Sequence, residues 1–100
     1  MKLFFTSNAI RRLTQIEDYE RSKGNDKKAR QTVKGIRDTA KKLEKYPEIG
    51  PVEEQLGDLG QGHRSILFGT LYKIIYLLAQ PLIIVTDIFD VRQDPGNMKP

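Results

Sequence analysis

The sequence predicts an α+β fold with an N-terminal strand, followed by an antiparallel helical hairpin packed on a small antiparallel sheet. The C-terminal part of that sheet is predicted to be a three-stranded meander. Two observations carry this prediction: residues 8–45 place apolar side chains at helical spacing, and residues 64–89 change to the alternating period of strands. Because the chain has 100 residues, we expect a single domain, residues 1–100, with one two-layer core.

The first helix is predicted to follow a short apolar strand, Met1–Phe5. Thr6-Ser7-Asn8 supplies hydroxyl and amide side chains that can accept hydrogen bonds from the first free N–H groups of a helix. Apolar residues then recur at steps of three, at Ile10, Leu13 and Ile16. We expect an amphipathic helix of about four turns that ends at Lys23-Gly24-Asn25, since glycine adopts the left-handed conformation after a helix.

The second helix has the most regular pattern in the chain. Its apolar residues are spaced 4, 3, 4 and 3 apart, at Ala29, Val33, Ile36, Ala40 and Leu43, and lysines and arginines fill the other faces. The short connection makes this helix the antiparallel neighbour of the first. Tyr46-Pro47 is expected to end it, because the residue before a proline is disfavoured in helical conformation.

Three strands are predicted after the loop at residues 48–62. They cover Arg64–Phe68, Leu71–Ala79 and Leu82–Phe89, separated by Gly69-Thr70 and Gln80-Pro81. Connections this short join only antiparallel neighbours, so the three strands form a meander. Asn97–Pro100 is expected to be a loose tail.

Composition excludes several classes of protein. The chain has no cysteine and one histidine, so neither a disulfide nor a zinc site is expected, and we predict no metal and no cofactor. No apolar run reaches the ~18 residues of a membrane span, and we expect a cytoplasmic location without membrane contact. The net charge of +4 and the pI near 9.4 suit a phosphate-rich or acidic partner.

Several single residues are candidates for chemistry. His63, beside Arg64 at a glycine-flanked strand start, is either a general acid or base or simply an exposed turn residue. Tyr72 and Tyr76 share one face of their strand, where they pack in a core or form a stacking platform, while Lys73 points to the other face.

The segment DIFDVRQDP ends the last apolar strand with charged residues. Asp90 and Arg92 are two residues apart and share a face. Because the first and third strands of a meander run parallel, we expect Arg92 to lie at the same edge of the sheet as Arg64. The two arginines beside a carboxylate then form either an anion site or a structural ion-pair cluster.

The ordered set of these segments resembles the RelE/ParE toxin superfamily of bacterial type II toxin–antitoxin modules. The resemblance runs through SNAIRRLTQIEDY, KARQTVKGIRDTAKKLEKYPEIG, HRSILFGTLYKIIY and LIIVTDIFDVRQDP. It implies one of two activities. RelE-like members cleave mRNA in the ribosomal A site by attack of a ribose 2′-OH on the adjacent phosphate, whereas ParE-like members poison DNA gyrase.

The resemblance also suggests roles for residues. In a nuclease, Arg64 and Arg92 match the family's strand-borne arginines, with Lys73 or His63 assisting. The residues after the last strand, 93–96, lack the histidine or tyrosine typical of active nucleases, and the long helical hairpin is similar to the ParE branch. We therefore favour a ParE-like toxin directed at gyrase, with a ribosome-dependent mRNA nuclease or a non-toxic, partner-binding remnant as alternatives.

Partners follow from the same resemblance. A cognate antitoxin is expected to wrap the toxin with an acidic segment that folds on binding, and we predict that it contacts Ile10, Leu13, Tyr76 and Phe89. The target, gyrase or the ribosome with its mRNA, is predicted to contact Arg64, Tyr72, Asp90 and Arg92.

Overall fold

A computed structural model describes residues 1–100 as a strand, two helices and three further strands. The elements are β1 (Lys2–Phe5), α1 (Ser7–Ser22), α2 (Asp26–Lys41), β2 (Arg64–Phe68), β3 (Tyr72–Ala79) and β4 (Leu82–Asp90). Short 3₁₀ helices cover Lys42–Glu44, Glu54–Leu59 and Pro95–Asn97. The predicted fold class and element order are confirmed. None of the helices is both long enough and apolar enough to cross a bilayer.

Side-chain caps determine where both helices begin. The Thr6 hydroxyl accepts a hydrogen bond from the Ala9 N–H at 3.1 Å, and the Asn25 side chain accepts one from the Lys28 N–H at 2.9 Å. Gly24 has a φ of 78°, the left-handed conformation that lets the chain turn between the helices. The second helix differs slightly from its prediction, because it tightens into a 3₁₀ turn at Lys42–Glu44 before Pro47.

The four strands form one mixed sheet in the order β1-β4-β3-β2. Strands β2, β3 and β4 form the predicted antiparallel meander, whereas β1 pairs in parallel with β4. A parallel pair needs a long crossover, and here the helical hairpin and the meander together lie between β1 and β4. The sheet therefore ends in two edge strands, β1 and β2.

The main core lies between the helices and one face of the sheet. It buries Ala9, Leu13, Ile16, Ile36, Ala40, Leu43, Tyr72, Ile74, Tyr76, Ile83, Val85 and Ile88. Helix α2 approaches β2 closely at Gly35, where a Cβ would lie 2.4 Å from the Phe68 ring. A larger residue there would require the Phe68 ring or the helix to shift.

The opposite face of the sheet is covered by two segments without regular strands or α-helices. Leu56, from the 3₁₀ helix Glu54–Leu59, and Met98, from the C-terminal tail, bury Ile75 and Phe89 in a second small core. The Lys99 backbone is also held, because its N–H donates to the Asp87 carboxylate and its carbonyl accepts from the Thr86 hydroxyl. The expectation that Asn97–Pro100 is a loose tail is therefore wrong.

Candidate functional site

The sequence predicted that Arg64 and Arg92 lie at the same edge of the sheet, but the structure places them apart. Arg64 pairs with Tyr76 on β3, whereas Asp90 pairs with Tyr72, four residues away on the same strand. That offset is about 13 Å along the strand at 3.3 Å per residue. The expectation is wrong because parallel strands place their starts together, so the start of β2 and the end of β4 lie at opposite ends.

Arg92 forms a two-pronged ion pair with Asp90. Its Nε lies 3.0 Å from Asp90 Oδ1 and its Nη2 lies 2.7 Å from Oδ2, while its backbone N–H also donates to Oδ1 at 2.9 Å. The hydrogen bonds from Arg92 lower the pKa of Asp90, and those with Asp90 raise the pKa of Arg92. The sequence left open an anion site or a structural ion-pair cluster at DIFDVRQDP. The structure contains an ion pair of Asp90 with Arg92, and Arg64 takes no part in it.

A cleft beside this ion pair lies between α1, the start of β3 and the end of β4. We call it the β4-end cleft; its volume is about 120 Å³, and its lining residues are Arg12, Gln15, Ile16, Tyr19, Tyr72, Ile88, Asp90 and Gln93. Tyr72 forms a buried wall, and burial followed by the charge of Asp90 raises the pKa of its hydroxyl. Tyr19 is 45% exposed at the rim. Tyr72, Asp90 and Arg92, three of the four residues predicted to contact the target, thus lie together.

Arg12, which lines the cleft, is held in place by Asp87, a contact that the sequence pattern did not predict. Arg12 Nε lies 3.2 Å from Asp87 Oδ1, and the same carboxylate accepts from Asn8 Nδ2 at 3.2 Å and from the Lys99 N–H at 2.9 Å. A β-bulge positions this residue, since Val85 and Asp87 pair with consecutive residues of β3 and leave Thr86 between them unpaired. The only local signal was a carboxylate inside an apolar strand.

Arg64 has a different task at the other end of the sheet. Its Nη1 donates to the Gly50 carbonyl at 2.7 Å, and the Tyr76 hydroxyl donates to the Pro47 carbonyl at 2.9 Å while accepting from the Gly50 N–H at 3.0 Å. Burial raises the pKa of Tyr76. These bonds hold the chain just after α2 against the meander, so both side chains are committed to the fold.

Lys73 is paired on the far side of the sheet. Its Nζ lies 2.8 Å from Glu53 Oε1, which also accepts from the Ser65 hydroxyl at 3.0 Å. Burial raises the pKa of Glu53, but hydrogen bonds from Lys73, the Gln55 N–H and Ser65 outweigh it and leave the pKa below its usual value. The pair ties the loop after α2 to β3, and Lys73 is not a free cation.

His63 is buried, which contradicts the interpretation as an exposed turn residue. Only 2% of it is accessible, and neither ring nitrogen has a hydrogen-bond partner within the chain. Burial lowers its pKa below 6.5, so the ring is neutral at pH 7. A buried ring without partners is a packing residue rather than a proton carrier.

Replacing His63 with phenylalanine should make the fold less sensitive to acid. Because the folded-state pKa lies below the unfolded value of 6.5, the native protein resists protonation, and stability is lost as pH falls below 6.5. We expect the free energy of unfolding of H63F, measured with urea, to change less than that of the wild type between about pH 7.5 and about pH 5. Identical pH dependence in the two proteins would contradict this.

Three of the four residues predicted to contact an antitoxin are core residues. Leu13 and Tyr76 lie in the main core and Phe89 in the second core, each at most 3% exposed. They were predicted to contact a partner because they are apolar, but Leu13 and Tyr76 pack between the helices and the sheet. Only Ile10, which is 49% exposed on α1, is accessible to a partner.

The four predicted catalytic residues are dispersed. Arg64 shares its face of β2 with Ile66 and Phe68, on the helix side, whereas Lys73 meets Glu53 on the opposite face. No group of three or more carboxylate or histidine side chains converges in a way that could hold a metal ion. The arrangement offers binding surfaces, with no assembled set of acid, base and cation.

A solved structure of another protein has the same fold as this chain. That structure, titled "Chromosomal ParDE TA system from P. aeruginosa", superposes with a TM-score of 0.76 at 19% identity, covering 90% of this chain and 95% of that one. No curated protein matches the sequence. The model of the family described as "ParE toxin of type II toxin-antitoxin system, parDE" matches residues 3–95. The predicted RelE/ParE resemblance is confirmed, and the chain belongs to the ParE toxin family of type II toxin–antitoxin systems.

Proposed function

We propose that this toxin inhibits growth by acting on DNA gyrase in the cytoplasm and that a cognate antitoxin neutralises it. The observation that carries the proposal is the dispersal of the four candidate catalytic residues. Cleavage of a phosphodiester needs a cation and a proton-transfer group around one phosphate. Here Arg64 and Lys73 lie on opposite faces of the sheet, and Arg92 lies at the other end from Arg64. Binding to a protein target needs no such centre.

The β4-end cleft is the surface that we assign to the target. Tyrosine and arginine dominate the energetics of protein interfaces, and this cleft presents Tyr19, Tyr72 and Arg12 beside Arg92. Asp90 engages the Nε and Nη2 groups of Arg92 and leaves Nη1 for a partner. The ion pair therefore holds the guanidinium in one orientation without using all of its donors.

The antitoxin is expected to use a different surface. Ile10 is half-exposed on α1, and its exposure suits an apolar anchor of a segment that folds on binding. The net positive charge of the toxin attracts an acidic segment at long range during encounter. Substituting Ile10 should therefore weaken neutralisation while leaving toxicity intact.

Replacing Arg92 with alanine should reduce toxicity without unfolding the protein. As an interface anchor, Arg92 is expected to contribute about 2 kcal/mol or more, so the inhibition of gyrase supercoiling by the purified protein should weaken about 30-fold. Half of the Arg92 side chain is exposed, so breaking its ion pair with Asp90 should cost little stability. Supercoiling inhibition and thermal melting, measured on the same preparations, separate the two effects.

Arg21→Ala is the matched control, because Arg21 also forms an exposed ion pair, with Glu17, but lies outside the cleft. It should inhibit gyrase as well as the wild type. In-frame mRNA cleavage on ribosomes, with gyrase unaffected, would replace the proposal with the nuclease alternative. Expression that leaves growth unchanged would instead support the non-toxic, partner-binding alternative.

A further inference from the structure

The positive charge of this protein is concentrated in α2 and the turn that follows it. Residues 26–45 contain eight basic and three acidic residues, a net charge of +5. The other 80 residues contain nine basic and ten acidic residues, so the remainder is nearly neutral. The overall charge of +4 thus comes from one segment of the chain rather than from the whole protein.

Five of these cations form a line along α2, which we call the basic stripe: Lys27, Arg30, Lys34, Arg37 and Lys41. Their spacing of 3, 4, 3 and 4 keeps them on one face of a helix, and all five are exposed. The stripe spans about 21 Å at 1.5 Å per residue. The apolar residues of α2 lie on a different face of the helix, which packs into the core.

Intramolecular partners leave most of the stripe available. Lys27, Arg30 and Arg37 form no ion pair, although the Arg37 guanidinium lies 5.4 Å from the Phe5 ring centroid. Lys34 pairs with Asp38 and Lys41 pairs with Glu44, but both lysines are largely exposed, and such surface pairs contribute little. A polyanion can therefore engage the stripe without breaking a buried interaction.

The surroundings of the stripe favour a nucleic acid over a protein. The interior of a protein interface is depleted of lysine and depends on apolar and aromatic anchors. No large apolar residue is exposed between residues 26 and 45, the nearest being Tyr46 beyond the stripe. Interfaces with DNA are instead polar and strongly positive, and they engage a phosphate backbone that carries one charge per about 1.7 Å of helix axis.

We propose that the basic stripe binds the phosphate backbone of double-stranded DNA without sequence preference. The stripe offers no exposed aromatic ring on which unpaired bases can stack, which disfavours single strands. A straight line of cations on a rigid helix suits the regular backbone of a duplex. This binding goes beyond the action on gyrase and does not depend on it.

The test is a fluorescence anisotropy titration of the full chain against a labelled DNA duplex of about 20 base pairs at about 50 to 200 mM salt. Neutralising five phosphates predicts a slope of about −4.5 in log K against log salt concentration. The triple variant K27Q/R30Q/R37Q should lower the magnitude of that slope by about 3 and weaken binding for every duplex sequence. Glutamine is a good helix former, so α2 should persist, as circular dichroism can verify.

A control variant with the same net charge, R11Q/R21Q/K99Q, should keep the wild-type slope, since these exposed residues lie outside the stripe. Equal losses in both variants would assign binding to net charge alone and overturn the proposal. Tighter binding to an RNA duplex would overturn the proposal in favour of RNA. Equal binding to a polyglutamate peptide would overturn it by showing that the stripe binds any polyanion. Absence of duplex binding at about 50 mM salt would refute it outright.

Discussion

Replacing Asp87 with alanine should lower the free energy of unfolding by about 3 to 5 kcal/mol, because it leaves a buried charge network without its central acceptor. Asp87 is fully buried, and its carboxylate accepts hydrogen bonds from Asn8, Arg12 and the Lys99 N–H. A domain of this size is stable by only about 5 to 15 kcal/mol, so much of the total would be lost. Urea titration and thermal melting measure the effect.

Asp38→Ala is the matched control, since it removes an aspartate from an ion pair with Lys34 on the surface. We expect a change within about 0.5 kcal/mol for that variant. Asp87→Asn should fall between the two, because its amide oxygen still accepts hydrogen bonds while the charge is gone. If Asp87→Ala were as stable as Asp38→Ala, Asp87 would not join α1, β4 and the tail energetically.

Replacing Gly50 with alanine should have the second-largest effect, a loss of about 3 kcal/mol from overpacking and broken hydrogen bonds. A Cβ at this buried position would lie 2.5 Å from the Ser65 carbonyl oxygen and 2.8 Å from the Tyr76 hydroxyl. The first of these is a backbone atom and cannot rotate away. The segment would have to move, which would also weaken the bond from Arg64.

Gly57→Ala is the corresponding control, because a Cβ added at Gly57 would have no neighbouring atom within 4 Å and the φ of this residue is not left-handed. That variant should be unchanged or up to about 1 kcal/mol more stable, since alanine restricts the unfolded chain. A thermal shift assay on both glycine variants is sufficient. Equal melting temperatures for the two would show that the close packing at Gly50 carries no energetic weight.

Local patterns were enough to predict the elements of this fold. The apolar spacing of α2, the caps at Thr6 and Asn25, and the alternating strands each depend on residues within about one or two turns of each other. Their order, together with the match of whole segments, also indicated the toxin superfamily. These features are local, so they survive without knowledge of the tertiary structure.

The site was predicted less well, and each error has a physical cause. Tyr72 and Asp90 meet because they pair in register on adjacent strands, and Arg92, in the turn after β4, folds back onto Asp90. Arg64 was misplaced because the strand directions, although correctly predicted, were applied to the wrong strand ends. Leu13 and Phe89 were assigned to a partner surface, but chain segments elsewhere in the sequence cover them.

The sequence by itself determined the order of helices and strands, the family, and the concentration of positive charge on α2. Only the tertiary structure decided the parallel pairing of β1 with β4, the ion pair between Arg12 and Asp87, and the separation of the two arginines. Arg12 and Asp87 are 75 residues apart, and a β-bulge sets their contact. Such contacts depend on register and on the path of the whole chain, which no local spacing encodes.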